Sequence, residues 1–321
     1  MRALAYDRYG PPDVIYLTDR PKPEIGPGDV LVKVEASGVN TGDWRLRAAA
    51  FPAIMALPGR LMFGVFRPRN RYMGSEFAGQ IISVGSQVKG FTLGDRVFGM
   101  SSTFGASADY LAMPETGAIT KIPANLDFEE AAALPFGGIC ALVFLSDFAA
   151  LKPGMRLLIV GASGGVGSYA VQIGKALGAD VTGVSGPDSQ EYIKALGVDD
   201  AIDYRLSPLD TWPGDFDIIF DTIGVLSPKQ ARHLLKERGI FAPLNFGLRE
   251  IGAALTNPLR HKKIKLAING DTQKDLKRLS NYVETGKVRP CIDSRFPLEK
   301  AQDAHRKVET RHRQGAIILT L

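Results

Sequence analysis

Four glycines set between two apolar runs are the residues of this chain best placed to do chemistry. Gly161, Gly164, Gly165 and Gly167 follow Leu157–Val160; Val166–Leu177 and then Val181–Ser185 come after them. An apolar run of that length reads as a buried parallel strand. The glycines allow a turn tight enough for main-chain amides to approach a diphosphate. A helix over 166–177 would turn its N-terminus, with its unpaired N–H groups, toward that anion. The spacing predicts a strand–turn–helix–strand unit that binds a nucleotide through Ser163, Gly164, Gly165, Val166 and Gly167.

The same residues are compatible with two other chemistries. Gly161-Ala-Ser163-Gly-Gly165 is also G-x-S-x-G, the nucleophile elbow of α/β-hydrolases, which likewise joins a strand to a helix. All four histidines (His233, His261, His305, His312) lie downstream of Ser163, so chain order allows that reading. Against it, no HGGG-like oxyanion segment precedes the turn, and the first 150 residues read mostly as strands. A short-chain dehydrogenase would need Tyr-x-x-x-Lys, and none of the nine tyrosines has lysine four residues on. The nucleotide reading leads.

The elements that must position this turn follow from the pattern on either side. Residues 1–122 read as short strands, among them Val30–Ala36, Gln80–Val84, Arg96–Phe98 and Tyr110–Met113, punctuated by glycines. That pattern suits a β-rich, barrel-like domain. Asp127-x-x-Glu130 has the form of a capping box for a helix over Phe128–Leu134. A second helix runs on to about Ala150. Beyond residue 155 strands at Asp217–Asp221, Gly239–Leu244 and Lys265–Ile268 alternate with helices such as Lys229–Leu235, which predicts a doubly wound parallel sheet. Thr272–Thr285 reads as an amphipathic helix leading out of that sheet. The tail 286–321, ending in a strand-like AIILTL, should return to the N-terminal domain.

At 321 residues the chain has the size of two domains. Its net charge of +5 and pI of about 9.1 come from dispersed lysines and arginines, and its basic clusters lack interleaved aromatics, so nucleic acid is not an expected partner. Cys140 and Cys291 are the only cysteines, which predicts a reducing compartment. No signal-like or membrane-spanning stretch is evident, and a cytoplasmic location is expected. Zinc would need three or four Cys, His or carboxylate ligands, yet the first 232 residues contain no histidine and one cysteine.

Taken with the opening MRALAYDRYGPPDVIYLTDRPKPEIGPGDVLVKVEASGVNTGDW, the middle GSEFAGQIISVGSQVKGFTLGDRVFG, KIPANLDFEEAAALP and the closing GKVRPCIDSRFPLEKAQDAH, the chain resembles the medium-chain dehydrogenase/reductase superfamily. The resemblance is to its zinc-independent quinone oxidoreductase branch and covers nearly the whole chain. It implies a GroES-like catalytic domain over 1–122 and 271–321 and a Rossmann nucleotide-binding domain over 123–270. It also implies an NAD(P)H-dependent reductase that transfers hydride to a quinone or an α,β-unsaturated carbonyl. Where zinc-dependent relatives have Gly-His-Glu, this chain has Gly74-Ser75-Glu76. Without a Lewis acid an unactivated ketone is hard to reduce, whereas an enone or quinone delocalises the arriving charge into an enolate or phenolate.

By the same resemblance Asn40 lines the nicotinamide pocket and Arg45 stands near the substrate, either one able to polarise a carbonyl. A turn asparagine in SGVNTGD is the plainer reading of Asn40. Thr222, Leu244 and Asn245 match positions bordering the nicotinamide and its ribose. Ser185 ends the second strand where an acid would bind the ribose hydroxyls of NAD. Its type, with Tyr204 where relatives contact the 2′-phosphate, favours NADPH over NADH; Asp188, where a basic residue is common, opposes it. A homodimer, pairing Lys265–Ile268 across subunits, is expected from dimeric relatives. A zinc-free alcohol dehydrogenase, an enoyl-thioester reductase and a non-enzymatic NADPH-binding protein remain alternatives. The apolar, basic stretch Ala48–Tyr72 reads as a lid over a hydrophobic substrate, as a patch for lipid or a partner, or as a loop packed on its own domain.

Overall fold

A computed structural model describes residues 1–52, 56–268 and 270–321; residues 53–55 of the apolar, basic stretch Ala48–Tyr72 lie outside the described residues. Two compact units result: Met1–Phe51 with 56–139 and Asp271–Leu321, and Cys140–Gly270.

The first unit contains β1 (Arg2–Ala5), β2 (Tyr16–Asp19), β3 (Asp29–Val39), α1 (Thr41–Ala48), α2 (Ala56–Phe63), β4 (Glu76–Val84), β5 (Arg96–Met100), β6 (Tyr110–Pro114), β7 (Ala118–Lys121) and α3 (Phe128–Ala132). α4 (Pro135–Leu142) carries the chain out of it. The second unit holds β8 (Arg156–Val160), α5 (Gly167–Ala176), β9 (Asp180–Ser185), α6 (Gln190–Ala195), β10 (Asp200–Asp203), β11 (Phe216–Asp221), α7 (Pro228–Leu234), β12 (Leu235–Pro243), α8 (Leu248–Leu255) and β13 (Lys263–Ile264). The chain then rejoins the first unit as α9 (Gln273–Glu284), β14 (Ile292–Pro297), α10 (Ala301–Glu309) and β15 (Ala316–Thr320).

β3 organises the first unit. It pairs antiparallel with β4, β6 and β15 in a sheet of order β14-β15-β3-β4-β5-β7, with β6 laid on β3. Its alternation puts Val30, Val32 and Val34 against Phe77, Ile81, Val97 and Ile119, while Val39 joins Leu4, Ile15, Ile317 and Leu319. Each such side chain, fully buried, contributes about 1.5–3 kcal/mol over an exposed one.

The second unit is a six-stranded, wholly parallel sheet of order β10-β9-β8-β11-β12-β13. This is the doubly wound order, with its switch point between β8 and β11. Strands buried on both faces read as apolar runs, as Leu157–Val160 and Ile218–Phe220 do.

Two expectations are corrected. Residues 123–139 belong with the first unit and not with the nucleotide unit, so the boundary expected after residue 122 moves. The Asp127–Glu130 capping box forms, but its helix packs on β3 and β4, and Phe136 N–H donates to Glu76 at 2.8 Å. Leu279 of α9 also fills the space that a Cβ on Gly138 would need. The last strand of the parallel sheet is Lys263–Ile264 and not Lys265–Ile268. Asn257 closes the outer edge of this strand: its side-chain amide donates to Ile264 C=O at 2.7 Å and accepts from Ile264 N–H at 2.9 Å, standing in for a further strand.

Candidate active site

Beyond β8 the chain turns at Gly161 with φ of 82°, a left-handed conformation that favours glycine. The turn is held to the sheet, since the N–H groups of Gly161 and Ala162 both donate to Val184 C=O, at 3.1 and 3.0 Å. Gly167 opens α5 directly over it. A Cβ on Gly167 would lie 2.0 Å from Gly161 O, so only glycine allows helix and turn to cross at this distance. Gly164 meets nothing closer than 3.5 Å at its would-be Cβ. The amides of Gly165 and Val166 make no hydrogen bond among the described residues. Two open amides at a helix N-terminus form an anion cradle, and these residues fit a diphosphate. Ser163 has no histidine partner for its hydroxyl among the described residues, as a nucleophile elbow would require.

The other candidate nucleotide residues lie at the carboxyl ends of the neighbouring strands. Thr222 follows β11, and its hydroxyl donates to Val160 C=O at 2.8 Å. Asn245 Nδ2 donates to Thr222 C=O at 3.0 Å, and Leu244 N–H donates to Asp221 C=O at 2.9 Å. Thr222, Leu244 and Asn245 are therefore linked at the sheet end that also carries the glycine turn. Asp221 holds the loop after β11, accepting from the N–H groups of Ile223, Gly224 and Leu226 at 3.1, 2.7 and 2.8 Å. Burial raises its pKa, and these main-chain bonds oppose the rise.

Ser185 ends β9, and Tyr204 reaches back to it: a Cβ on Gly186 would lie 3.4 Å from the Tyr204 ring. Gln190 was not legible as a site residue. Its amide donates to Ser185 Oγ at 2.9 Å and to the carbonyls of Ser185 and Ile202 at 3.2 Å each, which fixes this strand end. A glutamine in an exposed-looking run carries no signal for such a role.

In the first unit Asn40 caps α1. Its Oδ1 accepts from Gly42 N–H at 2.7 Å and Asp43 N–H at 3.2 Å, and Asp43 accepts in return from Asn40 N–H at 2.9 Å. Both amide hydrogens are engaged as well, with Ser75 Oγ at 3.1 Å and Glu76 Oε2 at 2.8 Å. The turn-asparagine reading thus describes its local geometry. Arg45, on the same helix, makes no side-chain hydrogen bond among the described residues, and burial followed by the charge of Arg311 lowers its pKa.

Glu76 and Asp43 are buried acids that sequence reasoning did not single out for chemistry. Burial pushes Glu76 up to about 8, against the opposing hydrogen bonds from Asn40 and Phe136. Burial likewise pushes Asp43 up to about 7. Asp43 also lines a cavity of about 280 Å³ within this unit, with Tyr6, Phe63, Tyr72, Met73 and Phe104.

A doubly wound nucleotide unit inserted into a β-rich unit built from both chain ends defines a class of nicotinamide-dependent dehydrogenases and reductases. Residues 26–124 match the alcohol dehydrogenase GroES-like domain, and 196–319 match the zinc-binding dehydrogenase family. The chain is 33% identical to the 2-methylene-furan-3-one reductase of Solanum lycopersicum over 99% of its own length and 79% of that protein. It is 32% identical, with the same coverage of each, to the NADPH-dependent alkenal/one oxidoreductase, chloroplastic, of Arabidopsis thaliana. Among solved structures, the quinone oxidoreductase from Coxiella burnetii superposes with a TM-score of 0.88 at 27% identity, covering 100% of this chain and 99% of that one. The chain belongs to the medium-chain dehydrogenase/reductase superfamily, in its quinone oxidoreductase-like branch.

The zinc in one matched family's description does not fit the residues here. Every histidine lies after residue 232, position 75 is serine between Gly74 and Glu76, and no group of three or more His, Cys, Asp or Glu gathers among the described residues. No helix among the described residues is long and apolar enough to cross a membrane.

Proposed function

We propose that the chain is an NADPH-dependent reductase of quinones or α,β-unsaturated carbonyls that works without zinc. The glycine turn carries this reading: a crossing that tolerates no Cβ at Gly167, with the Gly165 and Val166 amides open, supports a dinucleotide diphosphate held by main chain. When bound, the reduced nicotinamide supplies a hydride. Thr222, Leu244 and Asn245 support its orientation, since Asn245 bonds Thr222, Thr222 bonds Val160 and Leu244 bonds Asp221, holding the strand ends in place. Arg45, with its guanidinium uncommitted, is the group assigned to the acceptor oxygen as negative charge develops there. Asn40 is assigned a positioning role, holding α1 and Glu76, because its own hydrogen bonds are all in use.

NADPH is preferred over NADH in this reading because Ser185 replaces the acid that would bind a 2′-hydroxyl and repel a 2′-phosphate, with Tyr204 close by. A homodimer is expected, and exposed Leu248, Leu255 and Leu259 support an apolar contact for it. Strand pairing at β13 is not part of this proposal, since Asn257 already occupies Ile264. Cys140 and Cys291, buried thiols outside any disulfide, suit a reducing compartment such as the cytoplasm.

The test is NADPH oxidation by the purified, metal-analysed protein with a quinone and an enone series. Turnover without bound transition metal is expected, together with a severalfold loss for Arg45→Gln. Cofactor binding with no turnover of any acceptor would favour a non-enzymatic NADPH-binding role instead, and metal-dependent turnover would remove the zinc-free reading.

A further inference from the structure

Between Trp44 and Ser75 the sequence carries Arg45, Arg47, Arg60, Arg67, Arg69 and Arg71 and no acidic residue. Within this stretch α2 is apolar on two opposite sides. Gly59 and Phe63, four residues apart, face the first unit: Phe63 stacks on Phe51 at 5.8 Å and meets Phe104 edge-on at 6.2 Å. A Cβ on Gly59 would lie 2.9 Å from the Phe51 ring. Leu57 and Leu61, also four apart, share another face and are 69% and 54% exposed. Met62 at 59% and Phe66 at 92% extend this outer apolar surface.

Singly exposed leucines are ordinary, but a run of large apolar side chains in one helix and its following turn is not. The patch is also held in shape. Tyr9 OH donates to Gly64 C=O at 2.8 Å, and Arg60 donates to Val65 C=O at 2.8 Å while lying 4.6 Å over the Tyr9 ring. Arg67 and Arg69 make no ion pair among the described residues. An anchored apolar ridge flanked by uncompensated arginines is complementary to acyl chains beneath anionic phosphates. Met62 and Phe63 line, on their inner side, the cavity of about 280 Å³ walled by Tyr6, Tyr72, Met73 and Phe104.

We infer that α2 and the turn through Arg69 form a peripheral docking surface for an anionic phospholipid bilayer, and that the cavity behind takes a lipophilic acceptor from it. The second half rests on the reductase reading; the first does not. The test of docking is co-sedimentation with vesicles of phosphatidylcholine alone or mixed with phosphatidylglycerol. The protein should pellet with the mixed vesicles, less so at high salt. Partitioning should fall at least about tenfold in Leu61→Ser/Phe66→Ser and about fivefold in Arg67→Gln. Equal behaviour toward both vesicle types, or unchanged binding in a folded double variant, overturns the docking surface. Should the double variant not fold, Arg67→Gln decides alone, because its side chain is exposed and has no ion pair to lose among the described residues.

Acceptor delivery is read separately, with an isoprenoid-tailed quinone in vesicles beside a tail-less one in solution. The double variant should lose turnover of the first and keep that of the second; parallel loss or parallel retention overturns delivery from the bilayer. If the wild type turns over neither quinone, the reductase reading fails, while sedimentation still decides the docking surface.

Discussion

Two buried carboxyl groups meet at one residue in this protein, because the Asn40 side-chain amide donates to Glu76 while its main-chain N–H donates to the Asp43 carboxylate. Burial keeps both acids protonated well above the ordinary carboxylate range, Glu76 to about 8 and Asp43 to about 7. The folded chain therefore holds protons that the unfolded chain has released by neutral pH. Stability from such groups is full below the unfolded pKa, about 4, and is lost as pH rises through the folded values. The difference in melting temperature between wild type and Glu76→Gln should shrink or reverse from about pH 5 to pH 8; parallel curves would show that Glu76 titrates normally. At the nucleotide end, Asp188 is an exposed acid near the proposed 2′-phosphate. Asp188→Arg should tighten NADPH by on the order of tenfold, measured by calorimetry, while NADH changes little. No gain for NADPH would mean that Asp188 lies away from that phosphate.

At the scale of elements, glycine substitutions should separate a crossing from an ordinary helix position. Gly167→Ala places a methyl 2.0 Å from Gly161 O, so α5 must move off the turn. Cofactor affinity should fall at least about tenfold with a lowered melting temperature, in line with the cost of core overpacking. Gly252, exposed within α8, meets nothing within 4 Å. Gly252→Ala should stabilise by about 0.5–1 kcal/mol in denaturant titration and leave affinity unchanged. The contrast shows what a sequence makes legible. Strands β8, β9 and β11 and the turn between them could be read because apolar run, glycine spacing and helix period all agree there. The extent of β13 could not, since the Asn257 side chain takes the place of a further strand beside Ile264. The roles of Glu76 and of residues 123–139 are set by long-range contacts that leave no local pattern, and that of Gln190 by side-chain bonds to a strand end that no periodicity announces. The segment around α2 stood out by composition, but its two-sidedness appears only when Phe51 and Phe104 take one face.

For the molecule as a whole, ligand linkage offers the broadest check. A cofactor that binds only the folded second unit stabilises it by about 2.7 kcal/mol at about a hundredfold over its Kd. Thermal unfolding should therefore shift upward with NADPH, and by less with an equal concentration of NADH. An identical shift with both would remove the preference assigned to Ser185 and Tyr204.

The topology has a temporal consequence. β15, residues 316–320, lies between β14 and β3, whereas the parallel sheet is complete by residue 264. As the nascent polypeptide leaves the ribosome, the nucleotide-binding half can therefore assemble first. The other half waits for residues 316–320, which pair with Ala36–Val39 of β3. A translation arrest or frameshift just before residue 316 would yield a product whose exposed edge invites proteolysis or clumping, even though its Rossmann portion had already formed.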